Sequence, residues 1–201
     1  MDEQQHNREE RTQQISSDEL LTFSVGSGVI YVLIALLLIY YFHDTSLLGI
    51  LGDGMPVLSQ LVIGALFGIL AAVGVGFVSY RPPVSDILRD FAIIDLISQT
   101  RFTLFDRIQI SFVAGTCEEI LFRGAIQPLI GVWWTSLIFV ALHGYFMFKS
   151  LAHIMLGLMM FTLSAALGFL FEWVGLIAAM TAHAVYDFLL LQAVHKWGLG
   201  K

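Results

Sequence analysis

Six runs of about twenty mostly apolar residues dominate the chain and leave it few ways to fold. They cover residues 23–42, 57–80, 107–127, 129–148, 151–171 and 174–195. A bilayer core ~30 Å thick is crossed by a helix of about 20 apolar residues, each contributing about 1.5 Å of rise. Each run has that length. Composition agrees: of 201 residues, 57% are apolar and only 13% charged, against roughly 25% charged in a soluble domain. The sequence therefore predicts an all-α, polytopic membrane helix bundle of about six transmembrane helices. Residues 21–201 form a single membrane domain, and the lipid bilayer is the surrounding medium.

The segments between the runs are shorter and polar. Residues 1–20 carry Asp2, Glu3, Glu9, Glu10, Asp18 and Glu19, much of the formal charge of −6. They read as a disordered cytoplasmic tail, not as a cleavable signal peptide, so the first run stays as an anchor. Residues 43–56 form a Gly- and Asp-containing turn region. Between 84 and 106 the sequence is mixed, and "SDILRDFAIIDLIS" predicts an interfacial amphipathic helix capped by Ser85. Pro128 marks a break between the third and fourth runs. No internal repeat is visible, and no basic patch points to nucleic acid. The single cysteine, Cys117, excludes an internal disulfide framework and reads as a small packing residue.

Orientation follows from the cations. Six crossings put both termini on one side, with Arg8, Arg11, Arg81, Arg89, Arg101, Arg107, Lys149, Lys196 and Lys201; the other side receives only Arg123. The positive-inside rule makes the crowded side cytoplasmic.

Against this background a few polar residues stand out. Glu118 and Glu119 lie in the third run, His143 in the fourth, His153 in the fifth, and His183 and Asp187 in the sixth. A charged side chain at mid-bilayer costs ~2.5–3.5 kcal/mol on insertion scales, so such residues face the bundle interior. Counting rise per residue puts Glu118 about 16 Å, and His143 about 9 Å, from the cytoplasmic side. His183 falls about 14 Å below the opposite face, with Asp187 one turn further toward the cytoplasm. All four can converge on one cavity open to the cytosol. Glu119 and Arg123 are i,i+4 and share a helix face, the geometry of a buried ion pair. Glu118 is rotated by about 100° and need not join it. Phe139 and His143 repeat the spacing, as do His183 and Asp187. Gly115 and Gly124 leave room for close helix packing.

The stretches "EEILFR", "FVALH" and "HAVYD" fit E-E-x-x-x-R, F-x-x-x-H and H-x-x-x-N/D in order on successive helices. Together they resemble the CPBP family, the CAAX-protease and bacteriocin-processing or ABI group that includes the type II CAAX prenyl endopeptidases. The resemblance covers residues 105–195. It implies an intramembrane glutamate-dependent endopeptidase with a cavity open to the cytosol. Glu118 would be the general base, with His143 assisting, and His183 with Asp187 would stabilise the oxyanion. Glu119, Arg123 and Phe139 would support the site. The prenyl endopeptidases carry Asn where this chain has Asp187, and an ionised Asp187 would repel an oxyanion. The chemistry stands without the family: peptide hydrolysis needs an activated water and oxyanion stabilisation, and a desolvated carboxylate is a stronger base.

No cofactor is expected, with zinc the less favoured alternative. The substrate would be a peptide or membrane-protein segment, and the setting a bacterial cell membrane. Three other readings compete. The first is a catalytically silent binding or immunity protein of the same fold. The second is a metallopeptidase with zinc on His143, His183 and one carboxylate, although H-E-x-x-H is absent. The third is a proton-coupled transporter, disfavoured by the lack of a repeat. His153 and His195 match no motif, and Tyr186 reads as packing.

Overall fold

The structure is a computed structural model that describes residues 16–198. Expectations for residues 1–15 and 199–201 lie outside the described residues. Every regular element is helical: α1 (Ser17–Phe42), α2 (Leu47–Gly52), α3 (Val57–Ser79), a 3₁₀ turn (Ser85–Asp90), α4 (Ala92–Gln99), α5 (Leu104–Glu119), a π segment (Ile120–Ile126), α6 (Gln127–Leu142), α7 (Leu151–Trp173) and α8 (Leu176–Trp197). Five helical stretches are long and apolar enough to cross a membrane among the described residues. Their outer faces carry the large apolar side chains a lipid phase accepts, including Leu33, Leu37, Leu58, Leu70 and Val73. The chain is an integral membrane protein.

One of the five stretches contains two of the expected six helices. Leu104–Leu142 is continuous over 39 residues, about 58 Å of helix and twice a bilayer core. Gly131 breaks it, at φ 81° and ψ 167°, in a region closed to residues with a Cβ. The chain reverses there. Phe122 and Phe139 are ring neighbours at 4.9 Å, whereas a straight helix would hold them about 25 Å apart. The break thus falls at Gly131, not at Pro128. Pro128 sits in the first turn of α6, where its missing N–H costs little, and the π segment before it already uses a wider bond, Gln127 N–H to the Phe122 carbonyl. The returning arm ends at Leu142, and residues 143–150 are non-helical. The expected span over 129–148 is therefore a short arm reaching back only to the depth of the site.

Other expectations shift at their edges. Ser16 and Glu19 form a capping box, with the Ser16 N–H on Glu19 Oε2 at 2.8 Å. Residues 16–20 therefore begin α1 instead of ending the tail. The amphipathic stretch is two short pieces, the 3₁₀ turn and α4. Ser85 caps neither, because its hydroxyl bonds Asp86. Val84, Leu88 and Phe91 from this stretch bury against Leu156 of α7.

α8 lies at the centre, between α3, α5 and α7. Small residues bring it there. A Cβ on Gly64 or Gly68 of α3 would lie 2.5 Å from the Ala178 or Ala182 carbonyl, and one on Gly115 of α5 would lie 2.6 Å from Ala184 N. Gly124, expected to serve the same purpose, has only ordinary contact distance, 3.4 Å to Leu176. Buried Gln60 of α3 fixes the start of α8: its amide donates to the Asp53 and Met55 carbonyls and accepts from Ala178 N–H at 3.2 Å. It supplies the cap that Gly175, without a side chain, lacks.

Candidate active site

The adjacent glutamates point into different environments. Glu119 and Arg123 are fully buried and paired, Oε2 to Nε at 3.2 Å. Arg123 Nη2 also donates to the backbone oxygen and hydroxyl of Ser164 on α7, at 2.9 and 3.0 Å. Its guanidinium lies over the Phe139 ring at 4.9 Å, a cation–π contact. The other oxygen of Glu119 meets His183 Nδ1 at 2.7 Å. A carboxylate facing an arginine acts as acceptor, so Nδ1 carries the hydrogen and Nε2 points away. Nε2 faces Asp187 Oδ2 at 3.5 Å, one turn along α8.

Glu118 faces the other histidine. Its Oε2 is 3.5 Å from His143 Nε2, and these side chains keep 15% and 26% of their surface exposed, against none for Glu119. Glu118 therefore keeps accessible surface that Glu119 lacks. His143 closes α6, and its Nδ1 lies 2.8 Å from the Phe139 carbonyl. A carbonyl can only accept, so Nδ1 carries the hydrogen. Nε2 is then presented to Glu118, and an attractive contact requires one proton between the two.

Phe139 links both halves. Its ring stacks on His143 at 4.2 Å and meets His183 edge-on at 6.0 Å. Glu118, His143, His183 and Asp187, drawn from three runs, thus gather around one aromatic side chain, with Glu119 and Arg123 behind it. Tyr145, parallel to His143 at 6.3 Å, leads from this cluster into an apolar groove of about 250 Å³ lined by Phe146, Met147, Ile154 and Leu158. His153 stays apart. It bonds Asp90 at 3.0 Å and Ser150 at 2.8 Å, joining the 3₁₀ turn to the start of α7.

Sequence reasoning missed Ser164, Gln127 and Tyr145. Gln127 donates to the Gly168 carbonyl at 3.0 Å and to Glu172 at 3.2 Å. A signal existed for two of them: Glu119, Arg123 and Gln127 repeat every four residues on one helix, and Ser164, Gly168 and Glu172 repeat likewise on α7. These are matching polar stripes in an apolar background. Tyr145, in an irregular segment, had none.

Zinc on His143, His183 and a carboxylate would have to use Nε2 of both rings, since each Nδ1 bonds a protein oxygen. Each ring nitrogen already faces a protein oxygen. No group of three His, Cys, Asp or Glu side chains is disposed to hold a metal among the described residues.

Comparison with known proteins bears on the same segment. The family model described as type II CAAX prenyl endopeptidase Rce1-like matches residues 100–189. The uncharacterized protein YpbD of Bacillus subtilis (strain 168) is 42% identical over 81 residues, 40% of this chain and 41% of that protein. The chain thus spans about two fifths of the length of the curated relative it matches. No solved structure matches. The matched segment begins before α5, ends two residues after Asp187, and holds all three motifs and every residue of the cluster. Over residues 100–189 the chain is similar to the type II CAAX prenyl endopeptidase Rce1-like family.

Proposed function

We propose that this protein is an intramembrane endopeptidase that hydrolyses a peptide bond with water activated by Glu118, in a site open to the cytosol of a bacterial cell, with both termini cytoplasmic. The observation that carries the reading is the difference between the paired glutamates: Glu118 is accessible and faces a histidine of fixed tautomer, whereas Glu119 is sealed into an ion pair. Glu118 takes a proton from water as the hydroxide adds to the substrate carbonyl carbon. The carbonyl π electrons move onto oxygen. His143, sharing its Nε2 proton with Glu118, passes a proton to the nitrogen as the C–N bond breaks. General acid–base assistance of this kind contributes about 10²–10⁴-fold.

His183 and Asp187 receive the oxyanion. With Nδ1–H committed to Glu119, one proton at the Nε2–Oδ2 contact serves as the donor, whether it rests on the imidazole or on the carboxyl. With the proton on Asp187, the carboxyl donates as an amide would at that position, and no ionised carboxylate faces the oxyanion. The groove beyond Tyr145 suits an apolar side chain of a peptide or membrane-protein substrate.

The test is cleavage of a quenched-fluorescent peptide library by detergent-purified protein, comparing wild type with Glu118→Gln, each with and without EDTA. Cleavage abolished in the variant and retained in EDTA is the expected result. Loss in EDTA would restore the zinc reading, and a folded but inactive wild type would favour the binding or immunity reading.

A further inference from the structure

α6 ends in a closure that brings one more side chain to the site. Gly144, at φ 73°, turns the chain back on itself. Its N–H bonds the Ala141 carbonyl at 3.0 Å, and Tyr145 N–H bonds the Val140 carbonyl at 3.2 Å. This pair of bonds is the Schellman closure, which needs a left-handed residue, most easily glycine, at its turn. His143 and Tyr145 flank that glycine, so one closure sets both. Their rings are parallel to within 6° and lie 6.3 Å apart.

Tyr145 is held from other directions too. Its carbonyl accepts from Met147 N–H at 3.0 Å, and a Cβ on Gly157 of α7 would come within 2.8 Å of that carbonyl. Its ring packs on Phe91 at 5.7 Å. Phe91 is 1% exposed and packs in turn on His153 at 5.6 Å, which Asp90 and Ser150 fix. Phe148, in the same non-helical segment, is by contrast 76% exposed.

These contacts use the backbone or the ring, and none uses the hydroxyl. Among the described residues the Tyr145 hydroxyl has no hydrogen-bond partner, yet it is not one of the polar atoms sealed from solvent. Tyr186, next to Asp187, differs: its hydroxyl is spent on the Met160 sulfur at 3.9 Å. Glu118 and Asp187 are the acids whose charge reaches the Tyr145 hydroxyl. A firmly held, unspent donor thus stands within reach of both the base and the oxyanion pair. A phenol, with an ordinary pKa of about 10, keeps its proton at neutral pH and donates without a proton having to be placed on it first.

We propose that the Tyr145 hydroxyl is a second oxyanion donor, and so a further catalytic residue of the endopeptidase reaction, the reading on which this inference rests. The His183–Asp187 contact offers the oxyanion one proton, and Tyr145 offers another. As hydroxide adds to the carbonyl carbon and the π electrons move onto oxygen, the phenol O–H hydrogen-bonds that oxygen and keeps its own proton. The hydrogen bond relaxes when the C–N bond breaks and the carbonyl re-forms. Donors fixed in advance where charge develops need no reorganisation at the moment of reaction.

The experiment compares the detergent-purified full chain with its Tyr145→Phe variant, which loses the hydroxyl and keeps the ring. Two probes are titrated. One is a phosphinic tetrapeptide with phenylalanine on each side of the phosphorus, whose tetrahedral anion mimics the oxyanion; the other is the amide peptide of the same sequence. Phenylalanine suits the apolar groove of about 250 Å³ beyond Tyr145. Tyr145→Phe is expected to weaken the phosphinic peptide at least about tenfold, and to lower kcat about 10²–10³-fold, the usual loss for one oxyanion donor. Amide-peptide affinity and KM should stay unchanged, as for a contact made in the transition state alone. Tyr186→Phe, whose hydroxyl is already spent, is expected to change neither affinity. Unchanged phosphinic-peptide affinity in Tyr145→Phe, or equal weakening of both peptides, would overturn the proposal. In a Glu118→Gln background Tyr145→Phe should weaken the phosphinic peptide by the same factor, so the test does not depend on turnover. A wild type that binds neither probe and cleaves no peptide would count against the peptidase reading itself, and this inference would fall with it.

Discussion

Replacing Arg123 with methionine tests the support beneath the site. Methionine matches the stem of arginine and removes its charge. The change deletes the 3.2 Å ion pair with Glu119 and both bonds to Ser164. Glu119 then stays fully buried, with His183 Nδ1 at 2.7 Å as its remaining partner. Breaking one side of a buried ion pair costs about 3–5 kcal/mol, chiefly because the surviving charge has lost its compensation. The double variant Glu119→Gln/Arg123→Met removes that charge while leaving an amide oxygen for His183. Its cost should fall below the sum of the single changes by at least about 1.5 kcal/mol, the coupling expected of residues in one network. The assay is equilibrium unfolding in mixed micelles, followed by tryptophan fluorescence. Additive single changes, or a cost for Arg123→Met below about 1 kcal/mol, would refute the reasoning, because no uncompensated charge would then have been left behind.

Three further outcomes follow from other contacts. Glu118→Gln should lower peptide cleavage about 10²–10⁴-fold, while shifting unfolding by less than about 1 kcal/mol, because this side chain is partly exposed and outside the Arg123 network. Gly115→Val places a branched side chain where even a Cβ meets Ala184 N at 2.6 Å; it should cost about 1–3 kcal/mol by overpacking. By displacing His183, it should also reduce cleavage about 10²-fold, as a misplacement of ~1 Å does, which parallel unfolding and rate measurements would check. Gln60→Ala leaves the Ala178 N–H without its acceptor and should cost about 1–3 kcal/mol, read from the same unfolding curves.

Spans, motifs and the Glu119–Arg123 pair were legible because each rests on a local rule: run length against bilayer thickness, or four-residue spacing on a helix. Pro128 marks a break in the sequence, but a single positive-φ glycine, Gly131, makes the reversal three residues later. Gly131 sits among Ile130, Val132 and Trp133, with no polar neighbour to mark a turn. The bond between Glu119 and His183 was not legible either. It joins residues 64 apart, and its register depends on backbone contact at Gly64, Gly68 and Gly115, which spacing within one helix does not encode. Likewise, the i,i+4 pair of His183 and Asp187 was readable, but not that His183 spends its first nitrogen on Glu119 and has only the second for Asp187.

Under the proposed mechanism, that last point gives the two adjacent carboxylates separate tasks. A base inside a bilayer needs water beside it, and a histidine that supports an oxyanion needs a fixed tautomer. One glutamate cannot supply both, since the oxygen that locks a histidine nitrogen must stay ionised and dry. A helix turns about 100° per residue, so adjacent positions face different neighbours. Here Glu118 looks toward α6 and the accessible side, and Glu119 looks into the seam with α8, where Arg123 pairs with it. Each histidine then has one nitrogen committed, His143 to the Phe139 carbonyl and His183 to Glu119, and one left facing a carboxyl group. On this argument the two glutamates are not interchangeable. Glu118→Gln should cut turnover about 10²–10⁴-fold in a folded protein, whereas Glu119→Gln should lose stability along with activity.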